Sequence, residues 1–276
     1  MQKKNLLNFI LISYVKYSIH VALAVVTLAL LSAHIFRLTL PFSLLIFIFS
    51  VTLLGYNTIK YGLLPKRYLG TFPRPLLFVL NGMALVVAGV SFFSLSLQQQ
   101  VLSFFTGLSV LLYGNFFPFQ KTYLRTQSGL KLFWVAGCWV LIAIGLPYLE
   151  GAAVSLFALF LWGLQMGLFV VVATLPFELR DMHLDPVSLQ TWPQKWGEKA
   201  TKNRGYLLTS VAVCTLPFIP QISGPMLGST LLTQGLLLYL LWQSHPSRGF
   251  YYAAFWVEAL PLFWWGCLKL FLYIAY

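Results

Sequence analysis

Three of the six acidic residues in this 276-residue chain fall inside one short segment: Glu178, Asp181 and Asp185. Their spacing of three and then four residues puts all three carboxylates on one face of a helix. Like charges so placed repel by roughly a few tenths of a kcal/mol per pair in water, and by more near lipid. Something cationic must therefore compensate. Two arrangements do so: carboxylate oxygens around a magnesium ion that also holds substrate phosphates, or a solvated helix end with Arg180 and the loop lysines as counterions. Spacing alone leaves both open.

Two further polar groups carry possible chemistry. Tyr56, Asn57, Lys60 and Tyr61 end one apolar run. Lysine and tyrosine are ordinary at a membrane boundary, whereas an amide such as Asn57 inside a span wants a partner. The run Phe117-Pro118-Phe119-Gln120-Lys121 and then Arg125 follows another. It marks topology in its simplest reading and anion capture in the sharper one, with Lys121 and Arg125 facing phosphate oxygens.

The elements that must position these groups are membrane helices. The chain is 59% hydrophobic and only 9% charged, against about 25% charged residues in a soluble domain. A helical span needs roughly 20 apolar residues, and nine such runs are legible, at about 18–36, 39–60, 76–94, 101–118, 132–149, 153–177, 206–222, 227–243 and 250–272. The connections are short, so residues 1–276 read as one all-α, polytopic membrane domain. Residues 1–17 form an interfacial helix, because Lys16 interrupts the stretch after Lys3 and Lys4 and no small-residue cleavage site follows. Residues 18–276 form the nine-helix bundle.

Lysine and arginine accumulate in cytoplasmic loops. All but Arg37 and Lys269 of the 18 basic residues fall on one side of this nine-span scheme. That places the amino terminus in the cytoplasm, the carboxyl terminus outside, and all three polar groups on the cytoplasmic face. The net charge of +12 is therefore topological and does not indicate nucleic acid. Cys138, Cys214 and Cys267 lie inside apolar runs without metal-ligand spacing and read as packing residues. Gln165 and Asn81 read as interhelical hydrogen-bonding residues. Glu258 lies within the last span, His20 near the start of the first; Glu258 reads as a neutral carboxylic acid fastening helices, with a functional carboxylate as the alternative. Pro176 could open the backbone beside the acids, and Pro186 disfavours continued helix there.

Nine spans with polar motifs ending spans two and six resemble the UbiA superfamily of intramembrane prenyltransferases. That family's second aspartate motif reads Asp-x-x-Asp-x-x-x-Asp, which Glu178, Asp181 and Asp185 match with one conservative replacement. The stretch Gln190-Thr191-Trp192-Pro193-Gln194-Lys195-Trp196-Gly197 is similar to the family's Thr-Leu-Pro…Gly segment, and Phe117-Pro118-Phe119-Gln120-Lys121 to its Tyr-Pro-Phe-x-Lys motif. The first motif departs: of Asn-Asp-x-x-Asp-x-x-x-Asp only Asn57 remains, and Thr58, Tyr61 and Pro65 stand at the aspartate positions, with Lys60 between them.

The resemblance implies transfer of an isoprenyl group from an isoprenyl diphosphate to an acceptor at the membrane. It implies magnesium held by Glu178, Asp181 and Asp185. Because the first motif has lost its carboxylates, one ion is expected rather than two, and Lys60 takes the place of the second as a fixed charge. Asp181, Asp185 and Lys60 are the expected catalytic residues; Asn57, Lys60, Tyr61, Lys121, Arg125 and Arg180 are the expected substrate contacts. Aromatic faces would shield the allylic cation. Two other classes stand beside this one: a catalytically inactive relative that binds a prenyl or lipid diphosphate or serves as a partner subunit, and a small transporter. The acids sit at a helix end rather than at midplane and no broken-helix pair is evident, which weighs against the transporter.

The charge census generates a topology test. Reporter fusions after residues 97, 151 and 224 should read as external and those near 70, 128 and 196 as cytoplasmic. A cytoplasmic carboxyl terminus would show that the spans are miscounted.

Overall fold

The structure, a computed structural model, describes residues 11–62, 74–114 and 129–275. Lys121, Arg125, Pro65 and the 117–121 motif lie outside the described residues. So does the first part of the expected interfacial helix; residues 11–16 of it are helical.

Among the described residues the chain is all-α: α1 (Ile19–Phe36), α2 (Phe42–Gly62), α3 (Arg74–Phe92), α4 (Leu97–Gly114), α5 (Leu130–Tyr148), α6 (Leu156–Asp181), α7 (Trp192–Thr215), α8 (Gly224–Gln243) and α9 (Tyr252–Ala275). Seven of these are long and apolar enough to cross a membrane; α4 and α7 are the two that are not. Gln98, Gln99 and Gln100 open α4, and the last part of its expected span, to residue 118, lies outside the described residues. α7 begins fourteen residues earlier than the expected start at 206, and its first half is polar, from Trp192 to Arg204. The chain is an integral, multi-pass membrane protein.

Local sequence explains several boundaries. Ser155 caps α6 by accepting from the Ala158 N–H, and Ser223 caps α8 by accepting from the Met226 N–H. Ser18 and Arg37 adopt left-handed backbone at the two ends of α1. Two helices contain a wide π turn, at Leu141–Gly145 in α5 and at Tyr252–Val257 in α9. Such turns insert an extra residue and shift the face that follows.

α1 is the central helix, 72% buried, and it packs against α2, α5 and α9. α3 is the peripheral extreme at 17% buried, and it exposes Phe78, Met83, Leu85, Val86 and Val90. In lipid that exposure is favourable rather than a liability. The core between α6 and α9 is aromatic: Trp264 lies 5.9 Å from Trp162 and 5.3 Å from Phe169, ring centre to ring centre. The Trp162 indole N–H donates to Ser32 Oγ at 3.0 Å, which ties α6 to α1. His20 ties α1 to α9. Its Nε2 lies 2.9 Å from the Phe255 carbonyl, which only accepts, so Nε2 carries the proton and Nδ1 accepts from the Tyr14 hydroxyl at 2.8 Å. Burial first, and then the Glu258 charge, raise the Tyr14 hydroxyl above its ordinary pKa.

Not every expected fastening forms. The Gln165 amide is buried with neither its nitrogen nor its oxygen paired, as is that of Gln234. Gln165 is therefore not the interhelical hydrogen-bonding residue its type suggested.

At Gly205 α7 passes close against its neighbours. A methyl group there would run into the Leu241 side chain of α8 and lie 2.9 Å from that of Leu175 in α6. Gly205→Val should therefore destabilise the protein by about 1–3 kcal/mol through overpacking. Thermal unfolding in detergent measures this, with Gly235→Val, which meets nothing within 4 Å, as the reference; equal losses at both positions would remove the close-approach argument.

Candidate functional site

Three helix ends meet at the acidic segment. Glu178 and Asp181 occupy the last turn of α6, which ends at Asp181. Asp185 follows in a turn closed by the Leu184 and Asp185 N–H groups, both donating to the Asp181 carbonyl at 2.8 Å. The expectation of three carboxylates on one helix face is corrected accordingly: two are helical and the third is on the turn. Pro186 supplies the reason, since it disfavours helical backbone at the residue before it.

Each carboxylate has a positive partner, and Glu178 and Asp185 share one. Glu178 is only 3% exposed, and Lys131 Nζ lies 3.1 Å from its Oε1. Its Oε2 accepts the Trp192 backbone N–H at 3.3 Å, an otherwise unsatisfied donor of the first turn of α7. Lys131 Nζ is also 3.9 Å from Asp185 Oδ2. Asp181 is held by Arg180, whose Nε and Nη2 donate to its two oxygens at 2.7 Å each. The Arg180 guanidinium also donates to the Phe250 carbonyl at 3.3 Å and lies 5.3 Å from the ring centres of Phe177 and Phe250.

The 190–197 stretch forms the other half of this arrangement. Thr191 precedes α7, and its N–H donates to Gln194 Oε1 at 3.0 Å. The same amide's Nε2 donates to the carbonyls of Met182 at 3.2 Å and Asp185 at 3.0 Å, stitching the turn to the helix start. Gly197 then breaks the helix with φ 77 and ψ 170, backbone that glycine adopts without penalty. Trp192 packs on Phe133 and Trp196, and the Arg204 guanidinium lies 3.6 Å from the Trp196 ring centre.

A second polar group lies at the end of α2. Lys60 Nζ donates to Ser18 Oγ at 3.1 Å and lies 5.9 Å from the Tyr56 ring centre. Lys60, Arg180 and Glu258 are near enough for their charges to act on one another. Glu258 lines a chamber of about 40 Å³ with Tyr56, Trp139, Thr174 and Phe177. Glu258 directly follows the α9 π turn and borders both α6 and the Tyr56–Trp139 pair through this chamber. On the far side of Tyr56 and Trp139 lies an apolar cavity of about 550 Å³, lined by α2 from Phe47 to Ile59 and by Val110, Trp134 and Cys138. Tyr56 and Trp139 line both spaces. The Trp139 N–H donates to the Tyr56 hydroxyl at 2.9 Å, so that hydrogen bond is the partition.

The other expected contacts are engaged elsewhere. Asn57 is buried and its Nδ2 donates to Asn81 Oδ1 at 2.8 Å, while its own Oδ1 has no partner. The Tyr61 hydroxyl donates to the Lys16 carbonyl at 2.7 Å. Lys131 and the Trp192 N–H went unnoticed in the sequence. Lys131 counted there only toward topology, and nothing in a single sequence pairs positions so far apart.

Magnesium requires near-octahedral oxygen ligands at about 2.0–2.1 Å. Among the described residues no three acids converge into such a set, because both oxygens of Glu178 and both of Asp181 are already paired. The expected ligands Glu178, Asp181 and Asp185 do not, as arranged, fit that ion.

No family model matches the chain, and no curated protein does. Solved structures do, over nearly full length. A UbiA homolog from Aeropyrum pernix K1 superposes with a TM-score of 0.63 at 14% identity, covering 96% of this chain and 98% of that one. A structure described as digeranylgeranylglyceryl phosphate synthase gives 0.55 at 15% identity, covering 99% and 98%. A UbiA homolog from Archaeoglobus fulgidus gives 0.53 at 9% identity, covering 95% and 96%. The chain has the UbiA fold, as its motifs suggested.

The Asn57–Asn81 contact generates a direct measurement. A double-mutant cycle with alanine at each position should give a coupling of about 0.6–1.7 kcal/mol, the range of hydrogen bonds between membrane helices. Additive single losses would return Asn57 to the ligand-contact role.

Proposed function

We propose that this protein binds an isoprenyl diphosphate at the cytoplasmic face of a nine-span bundle and transfers its prenyl group to an acceptor. The apolar chain occupies the 550 Å³ cavity along α2. The diphosphate sits at the polar end of that helix, where Lys60 and Arg180 supply fixed positive charge, with Lys121 and Arg125 as expected further contacts. The observation that carries this reading is the partition of Tyr56 and Trp139. It puts a large apolar cavity and the small chamber of Glu258 on two sides of one hydrogen-bonded pair. The shared fold with UbiA homologs supports it.

In the reaction the carbon–oxygen bond to the diphosphate breaks, and the leaving group takes the electron pair. Lys60 and Arg180 offset the charge that develops on it. Tyr56 and Trp139 present aromatic faces toward the carbon that becomes positive. The acceptor bonds to that carbon and gives up a proton, and the Glu258 carboxylate in the adjoining chamber is placed to take it.

A second reading, a relative that binds the diphosphate without turning it over, is favoured by the pairing of Glu178 with Lys131 and of Asp181 with Arg180. Detergent-purified protein given isoprenyl diphosphates of several lengths with candidate acceptors separates the two. Diphosphate release with a prenylated product supports transfer, saturable binding alone supports the second reading, and neither would dismiss both. Where binding is seen, Lys60→Ala should weaken it by about 1.5–3 kcal/mol, as for a charge-assisted contact. Lys60→Asp should weaken it further, and unchanged affinity in Lys60→Ala would remove Lys60 from the site.

A further inference from the structure

We propose that the Lys131 ammonium is the resident cation of the acidic segment, holding the place a divalent ion would take, and that the protein accordingly binds a diphosphate without a metal ion. The diphosphate half of this statement rests on the proposed function; the cation half does not.

The charges near Glu178 are already close to balance. Three carboxylates face Lys131, Arg180 and the amino-terminal end of α7, which carries about half a positive charge. The remainder is about half a negative charge, too little to attract a divalent ion strongly. To enter, such an ion must also expel Lys131 from a carboxylate that is 3% exposed and break the bond from Trp192 N–H to the same group.

Lys131 is built into its position. Gly129 enters α5 in left-handed backbone, φ 76, and the space beside it is taken by the Trp192 indole nitrogen, 3.7 Å from where a Cβ would stand. That turn sets the first residues of α5 against the start of α7, two positions before Lys131. The ammonium is not sealed in, because the Lys131 side chain is 23% exposed and that of Asp185 22%. An ammonium has three donors. One can hold Glu178, a second Asp185, and the third can reach a phosphate oxygen. Lys131 thus does what a bridging ion does, joining carboxylates to phosphate, but as a covalently attached single charge.

Two measurements on the full chain in detergent test this. Manganese binding, followed by electron paramagnetic resonance, should detect no stoichiometric site in the wild type. One should appear in Lys131→Met and vanish again in the Lys131→Met, Glu178→Gln double variant, which leaves no unpaired buried charge. A wild-type manganese site abolished by Asp185→Asn overturns the proposal, and that arm stands even where Lys131→Met fails to fold. In the second measurement, farnesyl diphosphate binding is compared in EDTA and in magnesium. A loss of more than about tenfold in EDTA overturns the proposal and anything smaller supports it. No binding in either condition would count against the proposed function, and the manganese arm would still decide the role of Lys131.

Discussion

A carboxylate taken out of water is expensive, and its partners must be excellent to make up the difference. Glu178 is such a group, and the ends of α5, α6 and α7 are arranged around it. Lys131 comes from the beginning of α5, the carboxylate from the last turn of α6, and the Trp192 N–H from the first turn of α7. Remove the charge and there is no electrostatic reason for those three ends to meet. The details around it follow from the same demand. Gln194 reaches back to the carbonyls of the 182–186 turn, so the polar backbone between α6 and α7 is satisfied. Gly197 then frees α7 to change direction.

Charge and apolar space are kept apart by a thin wall. The 550 Å³ cavity is lined by Phe47, Val51 and Trp134, and the space on the other side of Tyr56 and Trp139 holds the Glu258 carboxyl group. In a low-dielectric surrounding a single hydrogen-bonded aromatic pair is enough to separate two chemistries, because neither side gains by crossing it. A hydrocarbon chain finds far more room in the 550 Å³ cavity than in the 40 Å³ chamber beside Glu258, and a polar group would find few partners in that cavity.

The fold was legible because membrane solvation leaves few solutions. Apolar runs had to be helices, and the α1, α2, α5 and α8 boundaries fell within a few residues of their hydropathy limits. The spacing of Glu178, Asp181 and Asp185 correctly marked the place where polar groups gather. Of the two arrangements it left open, the one with Arg180 and a lysine as counterions is the one present, although Pro186 ended the helix before Asp185 and spacing did not point to Lys131 on a different helix. Asn57 wanted a partner and found Asn81, as its chemistry required. The start of α7 was missed because Trp192 to Arg204 is too polar to register as a span, although Thr191 and Gln194 carry the spacing of a helix start. The π turn before Glu258 was not legible, because hydropathy and periodicity do not reveal such a turn.

The central place of α1 bears on how the protein is made. Synthesis delivers the amino-terminal elements first, so the most buried helix of the bundle is also the first to enter the bilayer. Its final neighbours include α9, which emerges after the seven helices between them, and the His20 link to Phe255 joins residues 235 positions apart. Until α9 emerges, α1 must wait with one side open to lipid. Its composition suits that wait: it is as apolar as any candidate span in the chain, and its only ionisable side chains, His20 and His34, lie near its two ends. The packing around α1 is therefore completed only after α9 has left the ribosome. A chain shortened at its carboxyl end would insert and still leave its centre facing the membrane.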